Sequence, residues 1–114
     1  MRILIIGAGD IGFQLANRLS RQKHDITMIE ANPNLVKRAS EQLDANVIQG
    51  NGASYRLLEQ ASLDRVEIIA AMTDRDEVNL LSCKLGKKVG VPMTIARVRN
   101  CLLYTSDAAD DRSC

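Results

Sequence analysis

A glycine-rich segment near the N terminus has the residue types and spacing of a phosphate-binding loop. Residues 7–12 follow a G-x-G-x-x-G pattern, placed after an apolar run and before a helical pattern. In that context Gly7 permits a tight turn, Gly9 lets a pyrophosphate approach the backbone, and Gly12 lets the helix pack closely. The N–H groups of residues 9–12 would face the phosphates, unless the glycines serve packing alone. The predicted loop comprises Gly7, Ala8, Gly9, Asp10, Ile11 and Gly12.

An acidic residue follows at the distance that dinucleotide-binding proteins use for ribose. Glu30 ends the second predicted strand, roughly 20 residues beyond the glycines, where a carboxylate can accept hydrogen bonds from both adenosine ribose hydroxyls. It would also repel a 2′-phosphate, and the neighbouring Ala31 brings no cation. The pattern therefore favours NAD over NADP. The alternative is an acid at a strand end that faces water.

Five further candidates lie where predicted strands end, the edge at which open α/β sheets bind ligands. Thr73 could hydrogen-bond ribose or nicotinamide, and Asp74 either joins it or only caps a helix. Asn51, beside Gly52, could contact the adenine edge or form a plain turn. Arg97 could bind the nucleotide phosphates in bidentate fashion, or it could make a surface salt bridge.

Residues suited to catalysis do not accompany these candidates. His24 is the only histidine, and it lies in a polar turn away from the glycine loop. Cys83 falls in a predicted helix, where it is expected to pack as a small apolar residue. The three cysteines have no C-x-x-C spacing, so neither a zinc site nor a redox pair is indicated. We therefore expect a binding protein and not an enzyme.

The composition indicates one small domain and excludes two classes of partner. The chain has 114 residues, 46 % of them hydrophobic and 3 % aromatic, with a net charge of +1. A protein that stacks nucleic-acid bases needs more aromatic residues, and this charge attracts neither nucleic acid nor an anionic membrane surface. The apolar run at residues 3–6 is too short for a signal peptide or a membrane span.

Short apolar runs alternate with amphipathic stretches along the chain. Strands are predicted at residues 2–6, 25–30, 46–49, 66–72 and 93–98, and helices at 10–22, 33–43, 54–61 and from 74 to the stop at Gly90. This alternation predicts parallel strands joined by right-handed crossovers. The expected fold is α/β: a Rossmann-type doubly wound parallel sheet, single domain, with five strands in the order 3-2-1-4-5.

Two helix starts have recognisable signals. Asn32 followed by proline predicts an N-cap. Asp74, with Glu77 three residues later, predicts a capping box. The helix that Asp74 opens places Val78, Leu81 and Leu85 on one face.

Five segments together carry a resemblance to a known family. They are MRILIIGAGDIGFQLANRL, the strand that ends at Glu30, VIQGNGAS, AAMTDRDEVNLLSCKLGKK and IARVRN. Over residues 1–100 they resemble the N-terminal domains of the TrkA-type RCK (or KTN) family, which regulates potassium conductance. The turn at residues 49–52 and the segments 72–74 and 95–97 are more specific than the glycine motif, which many dehydrogenases share.

The resemblance implies a Rossmann nucleotide-binding domain, at residues 1–100, of a regulatory cytoplasmic subunit. That subunit would be peripheral on the inner face of the plasma membrane, as a homo-oligomer bound to a potassium-translocating membrane partner. It would respond to NAD or NADH, or to ATP and ADP. The family's ligand contacts correspond to residues 7–11, Glu30, Thr73, Asp74 and Arg97.

One segment at the end of the chain does not follow the pattern of this family. Residues 101–114 depart from the family pattern, which predicts a tail outside the domain that is disordered or artefactual.

The competing hypothesis is the cofactor-binding domain of an NAD-dependent oxidoreductase that lacks its substrate domain. Such an enzyme needs a proton donor or acceptor near the nicotinamide.

Overall fold

The computed structural model describes residues 1–99, which form a five-stranded parallel sheet flanked by helices. The sheet order is β3-β2-β1-β4-β5, which confirms the predicted fold and strand order. The prediction for residues 101–114 lies outside the described residues. The strands are β1 (Arg2–Ile6), β2 (Asp25–Glu30), β3 (Asn46–Gln49), β4 (Ile68–Ala71) and β5 (Met93–Ala96), and the helices are α1 (Asp10–Arg21), α2 (Pro33–Gln42), α3 (Tyr55–Gln60) and α4 (Asp76–Val89).

The sheet is covered on both faces, which explains the unbroken apolar sequence of β1. Ile5 packs in one cluster with residues of α1 and α2, among them Ala16 and Ala39. Leu4 packs in a second cluster with residues of α3 and α4, among them Leu58. Within residues 1–99, none of the helices has the length and apolar character needed to cross a membrane.

Helix α1 begins close to the end of β1 because two glycines allow it. Gly7 has a φ of +102°, a conformation that glycine adopts without steric cost. A Cβ added at Gly12 would lie 2.0 Å from the Gly7 carbonyl oxygen. The predicted packing role of both glycines therefore has a direct steric basis.

Helix α4 matches the prediction at Leu85, which packs against the core, but differs from it at Leu81. Leu81, expected on the apolar face, is 45 % exposed, whereas Ser82 and Cys83 are buried. Gly86 explains the difference, because a Cβ added at this glycine would lie 2.2 Å from the Ile69 side chain. The helix lies so close to the sheet that small side chains occupy the contact and larger ones lie beside it.

Some helix and strand ends match the prediction and others do not. The Asn32 side chain accepts a hydrogen bond from the Asn34 N–H at 2.9 Å, which confirms the N-cap of α2. Helix α4 ends at Gly90 with a φ of +109°, also as expected. The observed β4 and β5 are shorter than the predicted strands 66–72 and 93–98.

The predicted capping box of α4 is wrong. Arg75, not Asp74, precedes the first helical residue, and it makes no side-chain cap hydrogen bond. Glu77 instead accepts a hydrogen bond from the Arg75 side chain at 3.0 Å. The pKa of the Glu77 carboxyl is lowered, first by a hydrogen bond from its own backbone N–H and then by that of Arg75.

We expect Gly12→Ala to destabilise the fold, because the added methyl group would meet a backbone oxygen that cannot rotate away. The free energy of unfolding should fall by about 2–3 kcal/mol, toward the upper end of overpacking effects, as measured by urea denaturation. Gly9→Ala is the matched control: nothing lies within 4 Å of the position that its Cβ would occupy, so its loss should be about 1 kcal/mol or less. Equal stability of Gly12→Ala and the wild type would contradict this account.

Candidate functional site

A cleft of about 590 Å³ lies at the carboxyl ends of the strands. It lies between β1 and β4, where successive crossovers turn in opposite directions, the usual ligand position in such sheets. Its volume is in the range of small-molecule sites. The lining residues are Ile6, Gly7, Gly9, Asp10, Ile11, Ile29, Glu30, Ala31, Asn32, Leu35, Gly50, Asn51, Gly52, Met72, Thr73, Asp74, Arg75, Val78 and Arg97.

The glycine loop forms one wall of this cleft. Gly9 and the first residues of α1, Asp10 and Ile11, line it, and the first N–H groups of a helix have no acceptor within the helix. Gly9 has no atom within 4 Å of the position a Cβ would occupy, so its backbone borders open space. Ala8 and Gly12 are buried and support the wall from behind.

Glu30 connects the glycine loop to the segment between β2 and α2. One carboxylate oxygen accepts the Ala8 N–H at 2.6 Å, and the other accepts the Asn32 N–H at 2.8 Å. Each carboxylate oxygen has two acceptor positions, so one on each oxygen is left after these bonds. Because Glu30 also lines the cleft, it is fixed in orientation and retains acceptor capacity there.

Asn51 and Gly52 lie on the β3 side of the cleft. The Asn51 side chain accepts a hydrogen bond from the Ala53 N–H at 2.8 Å. This bond belongs to the plain turn that the sequence offered as the alternative to an adenine contact. Gly52 is buried, and a Cβ there would lie 2.2 Å from the Ile6 side chain. The backbone of this turn therefore approaches the sheet at a distance that only glycine allows.

Thr73, Asp74 and Arg97 meet on the β4–β5 side of the cleft. Thr73 is partly buried and Asp74 is exposed. Within residues 1–99 the Arg97 guanidinium forms no salt bridge, so the surface ion pair considered for it is not made there. The structure thus brings ten of the twelve predicted residues to one cleft, all but Ala8 and Gly12.

Asn79 is a residue of this region that the sequence did not indicate. Its side chain is fully buried and uses both donors and both acceptor positions. The oxygen accepts the Thr73 N–H at 2.9 Å and the Thr73 hydroxyl at 2.7 Å. The nitrogen donates to the Thr73 carbonyl at 3.0 Å and to the Arg97 carbonyl at 2.7 Å. An asparagine inside a helix is unfavourable unless its side chain is bonded elsewhere, and that is the signal available in the sequence.

Comparison with protein families identifies a match along nearly all of the described chain. The model of the TrkA-N domain matches residues 3–102. A relative from Methanothermobacter thermautotrophicus, "Trk system potassium uptake protein TrkA homolog", is 43 % identical over 100 residues, which is 88 % of this chain and 46 % of the relative. The chain therefore spans less than half the length of that relative.

Solved structures of low sequence identity share the fold. The AMP-bound Kef CTD of Shewanella denitrificans superposes with a TM-score of 0.73 at 22 % identity, covering 88 % of this chain and 60 % of that one. The GsuK channel bound to NAD gives a TM-score of 0.73 at 20 % identity, covering 86 % of this chain and 18 % of the channel. At these identities the likeness extends to the fold alone.

We expect Glu30→Gln to loosen the glycine loop. The glutamine amide group would face the N–H of either Ala8 or Asn32, and two donors cannot bond to each other. One of these amides should exchange its hydrogen at least about tenfold faster, since a hydrogen bond to a charged group contributes roughly 1.5–3 kcal/mol. NMR hydrogen exchange measures this, with Glu41→Gln on the exposed side of α2 as the control. Unchanged exchange at both amides would show that Glu30 does not hold the loop.

Proposed function

Because this chain belongs to the TrkA-N domain family, we propose that it binds NAD(H) or a related adenine nucleotide and regulates a potassium uptake system. The observation that carries the proposal is the cleft itself. On one wall Gly9 leaves the backbone open beside the first turn of α1. On another wall Glu30 is held with acceptor positions still available.

The residues of the cleft fit a dinucleotide by their chemistry. We assign the diphosphate to the loop of Gly7, Gly9, Asp10 and Ile11, where helix N–H groups and the helix dipole favour an anion. Glu30 would accept the adenosine ribose hydroxyls. Ala8 and Gly12 support the loop. We assign the remaining polar contacts to Asn51, Gly52, Thr73, Asp74 and Arg97, with Arg97 directed to phosphate.

NAD or NADH is the ligand we favour, with ATP or ADP as the other candidates. Two structures that share this fold hold NAD and AMP respectively, and both ligands contain adenosine monophosphate. The adenosine part is therefore the chemistry common to all candidates. The nicotinamide end would determine whether a dinucleotide binds more tightly than ADP.

The biological setting follows from the relatives' names as a proposal. Relatives are named as Trk system potassium uptake proteins, so we propose a potassium-translocating membrane subunit as the partner. The domain would comprise residues 1–100, with residues 101–114 outside it. It would act as a homo-oligomer in the cytoplasm, peripheral to the membrane through that partner. A ligand regulates such an assembly only if it binds two arrangements of it unequally.

The alternative, an oxidoreductase cofactor domain, has few candidate proton donors in the cleft. Hydride transfer to a carbonyl needs a proton donor near the nicotinamide. Histidine, tyrosine, lysine and cysteine are absent from the lining contributed by residues 1–99. Its acids are Asp10, Glu30 and Asp74, and we assign Glu30 to ribose. A regulatory binding role is therefore the better fit.

We expect Gly9→Ala to abolish tight nucleotide binding while leaving the fold intact. The new methyl group has open space in the protein alone, but it would stand where a diphosphate approaches the backbone. Isothermal titration calorimetry with NADH should show affinity at least about tenfold lower, or roughly 1.4 kcal/mol. Ser40→Ala, on the exposed side of α2, is the control and should bind like the wild type. Full affinity in Gly9→Ala would remove the diphosphate from this loop.

We expect NADH to bind at least several-fold more tightly than NADPH, because the Glu30 carboxylate would repel a 2′-phosphate. Glu30→Gln removes that charge at nearly constant size, so the preference for NADH should shrink. Competition titrations on the wild type, Glu30→Gln and the control Glu41→Gln measure the ratio. Equal affinity of the wild type for both dinucleotides would show that Glu30 does not face the adenosine ribose.

A further inference from the structure

We propose that Asn79 is a positioning residue for the nucleotide site, which sets the affinity by fixing Thr73 and Arg97 together at the wall of the cleft. The inference rests on the proposed nucleotide binding and extends it to a residue outside the cleft lining. Asn79 contacts the site through these two residues and not through the ligand. Its side chain is 0 % exposed.

The hydrogen bonds of Asn79 join two segments that are distant in the sequence. Thr73 lies between β4 and α4, and Arg97 follows β5. The amide bonds to the Thr73 N–H, hydroxyl and carbonyl, and to the Arg97 carbonyl at 2.7 Å. One rigid, planar group therefore links two segments that line the same cleft.

The sheet holds Arg97 only through its N–H, and Asn79 holds its carbonyl. The Arg97 N–H still donates to the Ala71 carbonyl at 2.9 Å, but β5 ends at Ala96. The Arg97 carbonyl takes its hydrogen bond from α4 instead. Two residues later, the Arg99 N–H donates to the Asp76 side chain at 3.0 Å. The segment 97–99 is thus held by two buried polar side chains of α4 in addition to the one hydrogen bond from Arg97 to β4.

Only an amide fits the pattern of donors and acceptors around position 79. Asn79→Asp keeps the shape and the two acceptor contacts to Thr73, but it replaces the donor with an oxygen. That oxygen would then face the carbonyls of Thr73 and Arg97, and two acceptors repel. The variant should therefore displace Arg97 from the cleft wall while changing no atom that could touch the ligand.

The test is a double-mutant cycle on NADH affinity, measured by calorimetry on the wild type, Asn79→Asp, Arg97→Gln and the double variant. We expect Asn79→Asp to weaken binding about tenfold when Arg97 is present and no more than about threefold when it is replaced, since residues that act through one another are not additive. An equal factor in both backgrounds overturns the proposal. Ser82→Ala is the matched control, because among residues 1–99 the buried Ser82 hydroxyl bonds only within α4, to the carbonyls of Val78 and Asn79. It should lower the melting temperature without changing NADH affinity.

A second measurement needs no variant and covers the case in which Asn79→Asp fails to fold. In the wild type, saturation with NADH should shift the NMR signals of the Asn79 side-chain NH₂ group and slow their exchange with water. Unchanged signals at saturation overturn the proposal. If the wild type binds neither NADH nor ADP, the proposed function fails and this inference fails with it. If NADH binds but the two substitutions act additively, or if the Asn79 signals do not shift, only this inference fails and the proposed function stands.

Discussion

The contact between Gly12 and the Gly7 carbonyl oxygen determines how the rest of the site can be built. With 2.0 Å between that oxygen and the place of a Cβ, α1 can begin directly at the end of β1 only if residue 12 has no side chain. This start brings the N–H groups of the first turn to the carboxyl edge of the sheet. The same approach places Ala8 where its N–H reaches Glu30 on the next strand. A glycine contact thus orients both the N-terminus of α1 and the carboxylate opposite it.

Local geometry, rather than overall charge, accounts for how an anion would be held. The chain carries a net charge of +1, and residues 1–99 contribute three acids and two arginines to the lining of the cleft. An anionic ligand therefore gains little from long-range attraction. Oriented N–H groups act over short distances and select by position, which suits a ligand that also presents hydroxyl groups to a carboxylate. The acids of the cleft are then compatible with a nucleotide, provided that each faces sugar or solvent and not phosphate.

The sequence predicted what depends on local pattern and missed what depends on contacts between distant segments. Alternating runs predicted the parallel strands and their crossovers, and the spacing of Gly7 and Gly12 predicted the turn and the packing at α1. Periodicity suggested an apolar face through Leu81, but the fit of Gly86 against Ile69 decides which side of α4 is buried. Helix-start rules predicted Asp74 as the N-cap of α4. The loop before α4 is instead held by hydrogen bonds from the side chain of Asn79, a residue inside the helix. The contact of Gly86 with Ile69 leaves no short-range signature, and the asparagine inside α4 indicates a bonded side chain without identifying its partners.

The polar contacts of α4 give the cleft a physical connection to the end of the described chain. The segment 97–99 carries Arg97 at the cleft, and α4 holds this segment through Asp76 and Asn79. Since buried polar bonds are costly to leave unpaired, the segment and the start of α4 will move together or not at all. A ligand that drew Arg97 inward, as proposed for a nucleotide phosphate, would therefore act on α4 as well.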